Sequence, residues 1–290
     1  MITVHLMGGL GNQMFQIFSA LATSLRNERP FVVLSKYMKN FNGREDRPTY
    51  WDTIFAGLCK HIQFAVSIPD IYQIREHTFH YTPIITGPIL VGRNIMLNGY
   101  YQSEKYFKDQ FDHIYHICKF QQMSNKVLMK YCVKNNNHSQ NVMENTISMH
   151  FRIGDYKKLT HIHPIMSYDY YRNSLIHIFN NLDSSNYKVF YFCEDEDLDF
   201  VMTIVDKLLQ EFGSRCVFER ADPSYTDWEQ MLFMSCCSHH IIANSSFSWW
   251  GAYLNRNPTK LVCYPSVWFG PQVSHNTYDL CPPEWIRISV

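Results

Sequence analysis

Short apolar runs alternate with amphipathic stretches along most of this chain, and that alternation restricts the available folds more than any other feature. Thr3–Leu6, Phe31–Leu34, Ile147–Phe151, Lys188–Phe192, Cys216–Glu219, His240–Ala243 and Lys260–Cys263 read as strands, and helices are predicted between them, the first over Asn12–Leu25. Strands that alternate with helices build parallel sheets, because a parallel crossover needs a connection of about helical length. Two such sets predict two α/β domains, separated at the polar, Asn-rich stretch Lys134–Glu144. The expected division is residues 1–138 and 139–290, with the last segment free to pack back on the first domain. The 290 residues are enough for two cores of ordinary size, and nothing repeats at a solenoid period.

Within this frame, HHIIANSSFSWWGAYLN (His239–Asn255) reads as a buried strand running directly into a helix that starts at Asn244, Ser245 and Ser246. A helix that begins with hydroxyl residues presents backbone N–H groups and the positive end of its dipole, an arrangement suited to a phosphate. It is equally the pattern of an ordinary Ser-capped helix. Trp249 and Trp250 would pin that helix to the core. Upstream, ENTISMHFRIGDY (Glu144–Tyr156) is a second apolar run with a polar end. Strand alternation places His150 and Arg152 on one face and Phe151 and Ile153 on the other. Arg152 then stands at the carboxyl end of a strand, where open α/β sheets bind their ligands, and a guanidinium there can share a phosphate with the helix start.

Composition removes several classes of partner. Lys plus Arg and Asp plus Glu each number 26, so the net charge is zero. No basic stripe supplies the footprint of nucleic-acid binding, and no polybasic amphipathic stretch suggests a membrane surface. The apolar runs are far shorter than a bilayer span, and the amino terminus reads as strand, Gly-rich turn and helix rather than as a signal peptide. Nine scattered cysteines fit a reducing compartment. A cytoplasmic protein with a small-molecule substrate is therefore expected, in which Asn137-His138-Ser139 and Asn244-Ser245-Ser246 are not glycosylation sites.

GGLGNQMFQ (Gly8–Gln16), GYYQSEKYF (Gly99–Phe107), HFRIGDY (His150–Tyr156) and ANSSFSWWGAYL (Ala243–Leu254) occur in an order and spacing that resemble the α-1,2-fucosyltransferases of glycosyltransferase family 11. YDYYRNSL, FCEDED, MLFMSCCSHHII, PSVWF and PPEWIRI extend the resemblance through the carboxyl half. It implies a GT-B fold: an α/β chain of two facing Rossmann-like domains with a nucleotide-sugar cleft between them. GDP-fucose would lie mainly on the carboxyl-terminal domain and the acceptor glycan on the amino-terminal side. It further implies transfer to a galactoside hydroxyl with inversion, no metal and no cofactor apart from the donor. Residue by residue, Arg152 matches the arginine that binds the donor β-phosphate, and His150 and Asp155 flank it. Glu194, Asp195, Asn244, Ser245, Ser246, Phe247 and Ser248 fall on the nucleotide side. Gly9, Gly11, Asn12 and Gln13 form the amino-terminal loop of the cleft. Two departures stand out. The family's usual second arginine is replaced by Ile153, read as the loss of an auxiliary contact, and Cys193-Glu194-Asp195 stands where the family tends to have Ser-Asp-Asp.

The chemistry can also be argued without the family. Cleaving a glycosyl diphosphate places negative charge on the leaving β-phosphate, and a preorganised cation with helix N–H donors stabilises it. Asp155 is a candidate base for the acceptor hydroxyl, or the residue that fixes the turn after Gly154. Asp195-x-Asp197 has the form of a Mn²⁺-binding pair, or of acids complementing a helix dipole. Cys236, His239 and His240, and separately His161 and His163, lack the further ligands of a zinc site. Gly9-x-Gly11 has Met14 in place of a third glycine and no acidic ribose partner, which argues against a dinucleotide enzyme. A transferase of another GDP-sugar and a glycan-binding pseudoenzyme remain as alternatives. Lys36–Trp51 and Asp70–Pro88, loop-rich and aromatic, are the stretches expected to select the acceptor.

Overall fold

The computed structural model describes residues 1–34, 48–87, 91–136, 142–182, 184 and 186–290. Most of Lys36–Trp51, Pro88, and the Asn137-His138-Ser139 sequon lie outside the described residues. The chain forms two compact units, Met1–Met123 with His275–Pro282, and Ser124–Ser274 with Pro283–Val290. The division falls before the Asn-rich stretch, within α3 (Phe120–Lys134). An interrupted polar composition marks a helix end here, not the place where the packing changes.

In the first unit β1 (Ile2–Val4), β5 (Asn94–Asn98) and β4 (Ile71–Arg75) form a parallel sheet in the order β1-β5-β4. β2 (Val32–Val33) and β3 (Gln63–Phe64) pair in parallel beside it. Leu10–Arg26 is α1, and buries Met14, Phe15, Ile17, Phe18 and Leu21. Phe18 meets Phe107 edge-on at 5.5 Å, which ties α1 to the 3₁₀ turns that precede α2 (Phe111–Cys118). Apolar burial of these rings, at ~25 cal/mol per Å², holds the unit together.

The second unit is a six-stranded sheet in the order β11-β10-β9-β6-β7-β8. Its strands are β6 (Thr146–His150), β7 (Tyr187–Phe192), β8 (Cys216–Arg220), β9 (His239–Ile241), β10 (Val262–Pro265) and β11 (Ile286–Ile288). Every pairing is parallel, with Met149 of β6 opposite both Tyr191 of β7 and Ile241 of β9. Leu175 of α4 (Tyr168–Asn181) and Val201 of α5 (Leu198–Phe212) join Ile147, Met149, Phe151 and Val189 of the sheet in one apolar cluster. α6 (Asp227–Cys236) and α7 (Ser246–Tyr253) carry the buried Phe233, Trp249 and Trp250.

The chain winds outward from β6 through β7 to β8, then returns to place β9 on the opposite side of β6. The strand order therefore reverses between β6 and β9. Loops at the carboxyl ends of such a pair diverge and leave a crevice, the usual ligand site of open α/β sheets. The expected parallel α/β organisation holds in each unit. β4 was not anticipated, because Asp70–Pro88 reads as loop; its side chains are mostly exposed or half-buried, so it lacks an apolar signature. No described helix is long and apolar enough to cross a membrane. All nine cysteines are free.

Candidate active site

Arg152 stands at the reversal of strand order. β6 ends at His150, the Phe151 N–H still donates to the Phe192 carbonyl at 2.9 Å, and Arg152 is the next residue. Its Nη1 donates to Glu194 Oε1 at 2.9 Å and its Nη2 to Asp155 Oδ1 at 2.5 Å. The guanidinium carbon lies 5.0 Å from the Tyr156 ring centroid. Tyr156 is in turn stacked on His163 at 4.5 Å and donates its hydroxyl hydrogen to the Asn244 carbonyl at 3.1 Å. Through Tyr156 the loop after β6 is thus joined to the loop after β9. Asp155 and Glu194 have side chains more than half exposed, so these ion pairs contribute little to stability. Their effect is to aim a planar cation whose remaining donors can take an anion.

The turn that follows Arg152 is braced from below. Gly154 adopts φ +24° and donates its N–H to Asp197 Oδ2 at 2.7 Å. Asp197 is 1% exposed and its Oδ1 is ion-paired with Lys157 at 2.6 Å. Asp197, not Asp155, accepts the backbone hydrogen bond of this turn, while Asp155 faces Arg152. Asp195 pairs with Arg220 at the end of β8. The carboxylates that approach one another are Glu194, Glu196 and Asp197, with oxygens within 4.8 Å, rather than the Asp195/Asp197 pair. Asp197 Oδ2 is held by the Gly154 N–H and Oδ1 faces the half-exposed Lys157 ammonium, so a cation at this cluster would compete with Lys157.

Ile153 is 2% exposed and belongs to the apolar cluster of the sheet. The residue that replaces the family's second arginine is therefore a core residue of this protein, not an empty contact position. An arginine there would bury a charge among Phe151, Leu175 and their neighbours, at a cost of several kcal/mol.

His150 is buried against Phe247, ring centroids 5.5 Å apart, and its Nδ1 has no partner among the described residues. Burial, and then the charge of Arg152, hold its pKa down at about 3. It is a neutral imidazole at physiological pH, able to donate or accept a hydrogen bond but not to serve as a cation.

At the start of α7, Ser245 is the N-cap, accepting the Phe247 N–H at 3.3 Å, and Ser248 turns its hydroxyl back to the Ser245 carbonyl at 3.4 Å. Asn244 is 1% exposed, and its Nδ2 donates to the Pro164 and Trp268 carbonyls at 3.0 and 3.1 Å. Its Oδ1 has no partner among the described residues. Ser246 and Phe247 are half-buried and form the accessible rim. The predicted hydroxyl-rich turn is present, and Ser245 and Ser248 shape it while Ser246 is half-buried.

Gly9, Gly11, Asn12 and Gln13 belong to the first unit. Gly9 caps α1 and has open space beside its Cα. Asn12 accepts from Gln102 at 2.8 Å. Gln13 is fully buried and donates to the Gly8 and Pro48 carbonyls at 3.1 and 2.8 Å, so it fastens the loop. The zinc-like cluster dissolves. His240 is bonded to Ser148 at 2.8 Å and Asn255 at 2.7 Å in the core, and His239 accepts the Leu261 N–H at 3.1 Å. Tyr156 and Arg220 are contributors that sequence reasoning missed, and Asp197 and His163, read there as half of a Mn²⁺-binding pair and as a loop histidine, instead brace the Gly154 turn and stack on Tyr156. Recognising them requires knowing that β7 and β9 flank β6.

The buried imidazoles have a measurable consequence. Burial lowers the pKa of His150 to about 3, that of His239 to about 4, and that of His240 well below the ordinary range. The unfolded chain binds protons at these positions below about pH 6.5 while the folded chain does not, so stability is lost as pH falls from there. Urea unfolding at pH 7, 6, 5 and 4 should show the midpoint falling steadily from pH 6.5 toward pH 4. A midpoint that holds constant to pH 4.5 would contradict the assignment.

Comparison with known proteins places this chain in a family. The chain is 27% identical to an alpha-1,2-colitosyltransferase of Escherichia coli, covering 99% of this chain and 98% of that protein. It is 25% identical to the O-antigen biosynthesis glycosyltransferase WbnK of Escherichia coli, covering 98% and 99%. Among solved structures it is similar to E. coli ADP-heptose lps heptosyltransferase II, with TM-score 0.49 and 10% identity over 99% of this chain and 90% of that one. It is also similar to POFUT1 in complex with GDP-fucose, with TM-score 0.48 and 10% identity over 99% and 96%. The family model for Glycosyl transferase family 11 matches residues 1–289, and the chain belongs to that family: it is a glycosyltransferase.

Proposed function

We propose that this protein is a GT-B enzyme that transfers L-fucose from GDP-fucose to a galactoside hydroxyl with inversion and without a metal ion. The observation that carries the reading is Arg152 at the reversal between β6 and β9, aimed by Asp155 and Glu194 and tied through Tyr156 to the loop that opens α7. The acceptor oxygen attacks the anomeric carbon from the face opposite the nucleotide. The bond from that carbon to the β-phosphate oxygen breaks, its electron pair stays on the phosphate, and Arg152 with the α7 start meets that charge. The acceptor proton leaves to a base or to solvent. Asp155 and Glu194 act here as positioning residues, since both are committed to the guanidinium. The alpha-1,2 linkage named for the colitosyltransferase relative supports attack by the 2-hydroxyl. The Lys157 ammonium beside Asp197 Oδ1, a cation already supplied by the chain at the acidic cluster, supports metal independence.

Incubation with GDP-fucose, other GDP-sugars and UDP-galactose, with lactose as acceptor and linkage read by NMR, tests the reading. GDP-fucose should give an α-1,2 product at the same rate in excess EDTA. Loss of turnover on chelation, restored by Mn²⁺, would move the reaction to the acidic cluster. Glycan binding without donor consumption would identify a pseudoenzyme.

A further inference from the structure

α4 opens with Tyr168, Asp169, Tyr170 and Tyr171, and the last two lie wholly inside the second unit, at 0% and 1% exposure. A phenol hydroxyl buried this deeply needs a hydrogen-bond partner, and each of these takes a main-chain carbonyl. Tyr171 donates to the His150 carbonyl at 3.0 Å. Tyr170 donates to the Ile242 carbonyl at 2.5 Å, with the Cys263 carbonyl of β10 at 3.2 Å. His150 is the last residue of β6, and Ile242 directly follows the last residue of β9. The pairing of those two strands stops with Met149 opposite Ile241. The two hydroxyls therefore grip the main chain at the point where β6 and β9 part.

Each carbonyl lies two residues ahead of a residue of the candidate site, His150 ahead of Arg152 and Ile242 ahead of Asn244. Peptide units are planar, so pinning a carbonyl fixes the direction in which the chain leaves its strand. Adjacent residues of one helix cannot shift relative to each other, so α4 sets the spacing of the two loops from inside the fold, and Tyr156 joins them at the surface of the crevice. Packing alone does not call for this arrangement. The Tyr171 ring packs on Phe151 at 4.2 Å and edge-on against Tyr170 at 5.1 Å, contacts that phenylalanine would make equally well. We infer that Tyr170 and Tyr171 are positioning residues for glycosyl transfer, their hydroxyls holding the Arg152 and Asn244 loops at the separation that the leaving diphosphate requires. The inference rests on the proposed role of Arg152 at the donor phosphate and adds the device that sets the guanidinium against the start of α7. Burial, and then the neighbouring Cys193, raise the pKa of Tyr171, so its hydroxyl stays a donor throughout the working pH range.

Tyr171→Phe and Tyr170→Phe each remove one hydroxyl and keep the ring. Tyr168→Phe is the control from the same helix, because the half-buried Tyr168 gives its hydroxyl to Glu211 at 2.7 Å instead of to a strand end. Single-turnover rates with GDP-fucose and lactose are measured beside calorimetric titration of GDP and thermal melting. The rate should fall about 10-fold in Tyr171→Phe and in Tyr170→Phe, the scale of one lost buried hydrogen bond, while Tyr168→Phe keeps the wild-type rate. GDP affinity should change less than the rate, since the loss falls on the transition state. In an Arg152→Ala background Tyr171→Phe should lower the rate by less than about 2-fold, because no guanidinium is left to place. A wild-type rate in a folded Tyr171→Phe or Tyr170→Phe protein, with only the melting temperature lowered, would overturn the inference. An equal loss from Tyr171→Phe with and without Arg152 would also overturn it, as that pattern marks a general loosening of the core. Should one of the two variants fail to fold, the rate of the other decides. If the wild-type enzyme consumes a different sugar nucleotide, the same coupled pattern with that donor would sustain the positioning role and remove the GDP-fucose reading instead.

Discussion

Replacing Arg152 by alanine is expected to lower kcat by at least ~10²-fold, the usual scale for one preorganised electrostatic donor. On the proposed reading the substitution removes a charge-assisted contact that strengthens as the β-phosphate leaves, so kcat should fall more than donor affinity. It also leaves Asp155 and Glu194 without the cation they share, two carboxylates beside an arriving diphosphate. Arg152→Lys restores part of the rate, because an ammonium supplies charge but cannot reach both carboxylates and a phosphate in one plane. Single-turnover kinetics with GDP-fucose measure this directly. Near wild-type turnover in a folded Arg152→Ala protein would end the role assigned to the guanidinium.

The largest effect on stability is expected from Trp249→Ala. The ring is fully buried, stacks on Tyr253 at 4.5 Å, and packs on Trp250 at 5.0 Å and Trp285 at 5.4 Å. Emptying such a site costs about 3–5 kcal/mol, which for a unit of this size lowers the melting midpoint by roughly 10 °C. Trp249 lies one residue beyond Ser248, so the loosened helix should also give up the cap geometry of Ser245. Trp249→Phe keeps most of the volume and should recover more than half of the lost stability. A change in midpoint below about 2 °C for the alanine variant would show that α7 is not held by this aromatic stack.

Period-2 alternation at Glu144–Tyr156 was enough to separate Arg152 from Phe151 and to place it at a strand end, and the small-residue run at Asn244–Ser248 was enough to locate a helix start. Both signals are local. What joins them is not local: Tyr156 reaches the Asn244 carbonyl across 88 residues of sequence, and only the strand order makes those loops neighbours. Asp197 illustrates the same limit. As part of an acidic run it reads as a solvated helix start, yet it is buried under the turn at Gly154. Ile153 looked like a missing contact because the comparison was with an arginine; the side chain's own environment, a packed apolar cluster, was invisible along the chain. β4 escaped notice for the opposite reason, being a strand with too little apolar burial to announce itself.

Calorimetric titration of GDP, UDP and NAD⁺ into the wild-type protein is the most direct test of a GDP-sugar site built around Arg152. GDP should bind most tightly of the three, compete with GDP-fucose in turnover, and lose affinity in Arg152→Ala. Tighter binding of UDP or NAD⁺ than of GDP, or GDP affinity indifferent to Arg152, would contradict it.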